Sequence, residues 1–464
     1  MKVTVLGTGY VGLTTAASLA YLGHDVVGVD VDETKVKALR QGEPHFWEPH
    51  LKELMALVSS RLTFSTRPEE VLPQSQVVFI AVGTPPSADG TPDLSQVKSA
   101  AETIGRHLGE GFTVVVNKST VPIGSGNYVE ALIRRAFRET HGGEPNGRLA
   151  VASNPEFLRE GQALHDSLYP DRVVVGAENR QAIEILRELY EPVLEQGFTA
   201  PSFLPRPERM DAVPFITTDL ASAELVKYGA NAFLALKVSF INELARLAEK
   251  VGADIREVAR GIGLDSRIGT RFLQAGLGWG GSCFPKDTAA LLAIGREYGL
   301  SLPITQAARE VNYAQRAWTV DKLLGELKTI KGKSIALLGL AFKPYTDDLR
   351  ESPALDLARL LVERGAFVRA HDPVTLPRAR REVSLPLEYA EDPWALLAGA
   401  DAVVLATDWP EYRTWPWADL KPLMRTPLVV DGRNLLDGMA LAALGYRYLG
   451  IGVPSLGILE RVGV

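Results

Sequence analysis

The opening of the chain constrains its fold more than any other stretch. Lys2-Val3-Thr4-Val5-Leu6 reads as a strand and runs straight into Gly7-Thr8-Gly9-Tyr10-Val11-Gly12, after which an Ala- and Leu-rich stretch reads as a helix. Glycines at that spacing let the backbone turn tightly and approach a pyrophosphate, which the unpaired amides of the helix N-terminus then hold. Three glycines alone are weak evidence. The next apolar run, Val26-Val27-Gly28-Val29, ends in Asp30, about 20 residues on, where a ribose-binding carboxylate belongs in such units. Together the two features predict a dinucleotide site formed by Gly7, Gly9, Tyr10, Val11, Gly12 and Asp30. The charge of Asp30 predicts NAD over NADP, because a carboxylate repels a 2′-phosphate.

Further buried-strand runs follow at 77–82, 113–116, 149–152 and 172–175, separated by helical segments. This alternation predicts a parallel sheet covered on both faces. Ligands of such sheets bind at strand carboxyl ends, so Thr84 in Gly83-Thr84-Pro85-Pro86 and Thr120 in Asn117-Lys118-Ser119-Thr120-Val121-Pro122 are expected to line the cofactor. Ordinary turn chemistry accounts for both threonines equally well. From near Lys331 the pattern repeats: 334–338 with Gly339 echoes the first strand, 368–372 the second and 402–407 a third, and Leu428-Val429-Val430-Asp431-Gly432-Arg433-Asn434 completes the series. The repeat lacks the glycine fingerprint and carries Phe342-Lys343-Pro344-Tyr345-Thr346-Asp347-Asp348-Leu349-Arg350 in its place. With Lys343 and Arg433 at two strand ends, it is suited to a different phosphate compound.

Between the two repeats, 219–250 is rich in Ala, Leu, Glu and Lys and free of proline. It reads as one long helix capped by Thr218 or Asp219 and stopped by Gly252. Lys227 and Asn231 share a face of it, with Glu224 and Asn242 nearby; taken alone, such a face reads as a solvated stripe. The expected fold is α/β, with two Rossmann-like doubly wound domains joined by a long central helix. The expected boundaries are 1–205, 206–315 and 316–464.

The chain has 464 residues, 46% hydrophobic and 23% charged, which fits a soluble protein too long for one core. One cysteine excludes an intrachain disulfide and points to the cytoplasm. No secretory signal or membrane-spanning apolar run is read. A net charge of −6 without a basic block excludes a nucleic-acid footprint, and no motif calls for a metal.

That lone cysteine stands in Gly278-Trp279-Gly280-Gly281-Ser282-Cys283-Phe284-Pro285-Lys286-Asp287. A free cysteine is usually a small buried hydrophobe, but these neighbours make a poor core and a good loop for close ligand approach. Pro285 suits the start of a helix, expected over 288–298. The helix N-terminus, with Lys286 close by, favours the thiolate. A thiolate beside a nicotinamide cofactor suggests an aldehyde that is captured as a thiohemiacetal, oxidised to a thioester and hydrolysed, removing four electrons from one alcohol. Such a path needs a base, an oxyanion donor and a carboxylate for water. Glu156 and Glu160 in Asn154-Pro155-Glu156-Phe157-Leu158-Arg159-Glu160-Gly161 are candidates, although alone they read as an exposed first helical turn.

Seven ordered motifs make the whole chain resemble the nucleotide-sugar dehydrogenases of the UDP-glucose/GDP-mannose dehydrogenase family, most of all members acting on UDP-glucose. They are Gly7-x-Gly9-x-x-Gly12, Lys118 to Pro122, Asn154 to Leu158, Lys227 with Asn231, Gly280 to Asp287, Phe342-Lys343, and Arg350-Glu351-Ser352. The resemblance implies oxidation of UDP-glucose to UDP-glucuronate with two NAD and one water. It implies Cys283 as nucleophile, Lys227 and Asn231 as oxyanion donors, Asp287 as base or water holder, and Thr120, Glu156 and Glu160 around the water. It adds Lys35, Thr84, Thr120, Glu160, Lys286 and Arg350 to the NAD site. The sugar nucleotide falls to Glu156, Phe157, Leu158, Lys227, Asn231, Gln274, Gly278, Trp279, Gly280, Phe342, Lys343 and Arg433. It also implies a homodimer in which Arg267 reaches the neighbouring site. Trp279 stands where Phe or Tyr is expected, and His371 precedes Asp372-Pro373 where Tyr is common. Gly281-Ser282-Cys283 argues against the N-acetylmannosamine branch. A GDP-mannose enzyme, a two-electron hydroxyacid dehydrogenase and a non-catalytic NAD-sensing scaffold are the competing expectations.

Overall fold

The computed structural model describes residues 1–87 and 89–458. The chain divides into two compact units, 1–230 with 289–300, and 231–288 with 301–464. The first contains β1 (Lys2–Leu6), β2 (Asp25–Val29), β3 (Leu62–Ser65), β4 (Val77–Ile80), β5 (Thr113–Asn117), β6 (Leu149–Ser153), β7 (Val173–Ala177) and β8 (Phe215–Thr218), in the order β3-β2-β1-β4-β5-β6-β7-β8. From β3 to β6 all neighbours are parallel. Every position of β4 and β5 is buried, so with helices on both faces neither face has room for polar residues and the strands read as unbroken apolar runs. Each buried valine there contributes about 1.5–3 kcal/mol by leaving water.

The expected all-parallel sheet fails at β7, which pairs antiparallel to β6. A parallel neighbour needs a crossover that returns the chain to the starting end of the sheet. Between β6 and β7 the only helix is the short Ala163–Leu168, and the chain comes back from the end at which it left. Strands β3 and β8 are four-residue edge strands: β8 has no buried position, and β3, three of whose four residues are buried, is too short and too mixed in composition to signal itself in sequence.

The second unit contains β9 (Ser334–Leu338), β10 (Phe367–His371), β11 (Leu387–Tyr389), β12 (Ala402–Leu405), β13 (Leu428–Asp431) and β14 (Arg447–Gly450), in the order β11-β10-β9-β12-β13-β14. All neighbours are parallel. The four echoing runs are β9, β10, β12 and β13. The echo reaches single bonds: in the first unit Asp30 Oδ2, after β2, accepts the amide of Thr8 at 2.9 Å. In the second, Asp372 Oδ2, after β10, accepts the amides of Leu340 and Ala341 at 2.8 and 3.1 Å. Each aspartate ties down the turn that leaves the neighbouring strand.

The long helix runs Leu220–Val251 and passes from one unit into the other. Asp219 caps it, accepting the Ser222 amide at 2.8 Å. The solvated-stripe reading of this helix is overturned: Glu224, Lys227, Asn231, Ser239 and Asn242 are all buried. Among the described residues no helix is long and apolar enough to cross a membrane.

Candidate active site

In the first unit, β1 delivers Gly7, Gly9 and Gly12 to the start of the helix Tyr10–Tyr21, with Tyr10 and Val11 as its first residues. Gly7 has φ +92°, and a Cβ on Gly12 would lie 1.9 Å from the Gly7 carbonyl oxygen. The turn is closed too tightly for any side chain at Gly12, while nothing lies within 4 Å of a Cβ on Gly9. Tight packing behind and open space in front are what a backbone needs to meet a pyrophosphate. Asp30 also accepts the Thr8 hydroxyl at 2.8 Å and pairs with Lys35 at 3.4 Å. Burial pushes its carboxyl up, but the Thr8 amide and hydroxyl, the Asp32 amide and Lys35 hold it below the usual range. Thr84 and Thr120 meet directly: the Thr84 hydroxyl donates to the Thr120 carbonyl at 2.9 Å. These residues fit a bound NAD.

A second cluster in this unit joins β5, the loop after β6 and the long helix. Lys227 Nζ donates to Glu156 Oε1 at 2.8 Å and to the Glu156 carbonyl at 2.6 Å, with both side chains about 5% exposed. The expected exposed helical turn is absent, because the segment from Asn154 to Glu160 is not helical and Glu156 and Glu160 are buried. The other Glu156 oxygen accepts the Leu158 amide at 2.9 Å. Phe157 carries the Arg172 guanidinium 3.8 Å above its ring. Lys118 donates to Asn154 Oδ1 at 2.9 Å. Burial pushes its ammonium down to about 8, opposed by Glu156 and reinforced by Lys227.

In the second unit, Cys283 directly precedes the helix Phe284–Glu297, which starts earlier than expected and places Pro285 second. The Cys283 carbonyl accepts the Asp287 amide at 2.8 Å, the first bond of that helix. Its Sγ lies 3.5 Å from the Ser282 hydroxyl. Asp287 is 1% exposed. Asn231 donates to its Oδ2 at 2.6 Å, and Lys286 donates to its Oδ1.

The glycine loop before the cysteine is pinned through its backbone. Asn242 Oδ1 accepts the Gly276 amide at 2.8 Å, and Gln315 donates to the Gly276 carbonyl at 2.8 Å. Asn312 holds both the amide and the carbonyl of Trp279, at 2.7 and 3.0 Å, and Arg316 donates to that carbonyl at 3.0 Å. Arg433 donates to the Gly278 carbonyl at 3.0 Å, and the Trp279 indole donates to Ser239 at 3.0 Å. Burial drives both guanidiniums below their ordinary range, Arg316 to about 10. Lys343 lies 5.5 Å from the Phe342 ring centroid.

Two expected residues stand apart from these clusters: Gln274 is exposed, and Arg267 is 87% exposed and pairs with Asp265. Arg350 pairs with Asp348, and its carbonyl accepts the amide of Gly281, beside the cysteine, at 3.1 Å. Sequence reading missed Asn312, Gln315 and Arg316 altogether. A signal existed: Asn312, Gln315, Arg316 and Thr319 fall at the i, i+3, i+4, i+7 spacing on the helix Pro303–Leu327, and all are at most 2% exposed. Polar residues holding core positions mark a purpose other than packing.

Comparison with known proteins agrees with this geometry. Residues 1–194, 221–314 and 336–438 match the NAD binding, central and UDP binding domains of the UDP-glucose/GDP-mannose dehydrogenase family. The chain is 44% identical over 457 residues to the UDP-glucose 6-dehydrogenase TuaD of Bacillus subtilis, covering 98% of this chain and 94% of that one. It is 44% identical over 468 residues to the UDP-glucose 6-dehydrogenase of Pseudomonas aeruginosa, covering 98% of each. The solved UDP-glucose dehydrogenase of the hyperthermophilic archaeon Pyrobaculum islandicum superposes with a TM-score of 0.86 at 42% identity, again over 98% of each chain. The chain belongs to the UDP-glucose/GDP-mannose dehydrogenase family and is an NAD-dependent dehydrogenase.

Proposed function

We propose that this protein oxidises UDP-glucose to UDP-glucuronate, removing four electrons through a thioester on Cys283. The observation that carries the reading is Cys283 at the start of the helix Phe284–Glu297, one turn from a buried Asp287 that Asn231 orients. A two-electron dehydrogenase has no use for a thiol in that position. The names of the relatives above supply the sugar nucleotide.

NAD, when bound, accepts a hydride in each of the two oxidations. In the first, the C6 alcohol loses a hydride from carbon and a proton from oxygen, and an aldehyde forms. Asp287, acting directly or through a held water, takes the proton. Cys283 Sγ then adds to the aldehyde carbon, and the oxygen takes up a proton as the thiohemiacetal forms. Loss of a second hydride and proton leaves a thioester. Water adds to its carbonyl, the carbon–sulfur bond breaks, and the thiolate leaves with a carboxylate as product. Lys227 and Asn231 donate to the oxygen wherever negative charge develops. Glu156, already held by Lys227 and the Leu158 amide, serves as base for the water, with Thr120 and Glu160 placing it.

For the sugar nucleotide the reading assigns the pinned loop 274–280, Phe342, Lys343 and Arg433 to its uridine diphosphate end. The three-part division near 205 and 315 belongs to the same reading, as does a homodimer through the long helix. Phe233, Phe240 and Leu247 recur on that helix every seven residues and are 62%, 48% and 57% exposed, a pattern that suits helix pairing. In such a dimer Arg267 serves the neighbouring site. Sedimentation of a Phe233→Asp variant as a monomer supports the pairing; an unchanged mass rejects it.

The deciding experiment counts NADH formed per UDP-glucose consumed, with NAD in excess. Two per sugar is expected. One per sugar means release of an aldehyde or ketone and removes the thioester from Cys283. Faster turnover with GDP-mannose overturns the choice of sugar nucleotide.

A further inference from the structure

Glu48 lies outside every motif above, in the segment that links the helix Glu33–Arg40 to the helix Leu51–Leu57. Its carboxylate is 6% exposed and gathers donors from two distant parts of the first unit. The Tyr10 hydroxyl donates to Oε2. The Gly161 amide donates to the same oxygen at 2.6 Å and to the Tyr10 oxygen at 2.9 Å, and the Ala163 amide donates to Oε1 at 2.7 Å. Tyr10 is the first residue of the helix that follows the dinucleotide turn, while Gly161 directly follows the buried Glu160. The Tyr10 ring packs 4.6 Å from Phe46, which brings the Glu48 segment against the turn.

We propose that Glu48 is a positioning residue that ties the loop bearing Glu160 to the dinucleotide turn, so that Glu160 is held in register with the bound cofactor. The proposal rests on the role read for Glu160 above. A buried carboxylate bridging three donors is a stiff link, because each bond it accepts is charge-assisted. A glutamine cannot replace it: whichever way the amide is turned, its NH2 faces a backbone N–H on one side, and a buried donor is left unpaired.

The test uses full-length Glu48→Gln and Tyr10→Phe, singly and together. Amide hydrogen exchange at Gly161 and Ala163 is expected to speed up at least about tenfold in Glu48→Gln. The same variant is expected to lose about tenfold in kcat and to bind NAD more weakly by calorimetry, with KM for UDP-glucose within about twofold of the parent. The double variant is expected to be no worse than the worse single one, since both changes cut one link. Unchanged exchange at Gly161 and Ala163 overturns the proposal, and so does a rise confined to KM for UDP-glucose. If Glu48→Gln does not fold, Tyr10→Phe carries the test through kcat, NAD affinity and exchange at Gly161, because it removes the hydroxyl that joins Glu48 and the Gly161 amide to the dinucleotide turn and leaves the ring in place; all three unchanged overturns the proposal. A parent enzyme that forms no NADH from any nucleotide sugar refutes the functional reading instead, and the exchange result still decides the link.

Discussion

Glu224 sets two physical effects against each other. Its carboxylate, 3% exposed on the long helix, accepts the amides of Gly124 and Gly126 at 2.6 and 2.9 Å, at the start of the helix Ser125–His141. Helix amides favour the anion, whereas burial disfavours it. Burial wins: it lifts the carboxyl from 4.5 to about 7, with the Gly124, Gly126 and Ser125 amides opposing and Asp219 adding to the rise. An acid whose folded value is raised holds its proton more tightly when folded, so ionising it costs stability as pH climbs from about 4.5 to about 7. The difference, 7 minus 4.5, is about 2.5, and at ~1.4 kcal/mol for each it is on the order of 3 kcal/mol. Most of that, roughly 2–3 kcal/mol, falls between about pH 5 and about pH 8. Glu224→Gln cannot ionise, and it loses one acceptor, a penalty of about 1–3 kcal/mol that does not vary with pH. Melting curves of parent and variant at the two pH values read the difference. The variant is expected to gain on the parent by roughly 2–4 °C on going from about pH 5 to about pH 8, the entropy of unfolding a chain this long being about 1 kcal/mol per degree. A gap that stays constant, or that widens in the parent's favour as pH rises, refutes the reasoning and shows that the amides outweigh burial.

Two further outcomes follow from the site geometry. Arg316→Lys removes the planar fork that reaches the Asn312 and Trp279 carbonyls; KM for UDP-glucose is expected to rise about tenfold with KM for NAD unchanged, and steady-state kinetics showing neither moved means that the other side chains pinning the loop hold it without Arg316. Gly12→Ala forces a Cβ to within 1.9 Å of the Gly7 carbonyl; calorimetry is expected to show NAD affinity falling about a hundredfold with UDP affinity intact, and parent-like NAD binding contradicts the role given to the turn.

Local pattern carried much of this protein. The glycine turn, Asp30, the buried strands β4 and β5, the repeat from β9 to β13 and the capped long helix were all legible in the sequence, because each depends on residues close together in the chain. The reversal at β7 was not legible, since it depends on how a loop and a short helix return to the sheet rather than on the strand's own residues. Nor was burial on a mixed helix face: Lys227 and Asn231, taken alone, read as a solvated stripe until tertiary packing put Glu156 against one and Asp287 against the other. Glu48 was invisible for a related reason, as its three donors come from segments over a hundred residues apart in sequence. Chemistry-bearing residue types and their spacing were thus determined by the sequence alone. Which of them lost their water and found a charged partner was decided by the tertiary structure, because desolvation and pairing depend on neighbours that only the folded chain brings together.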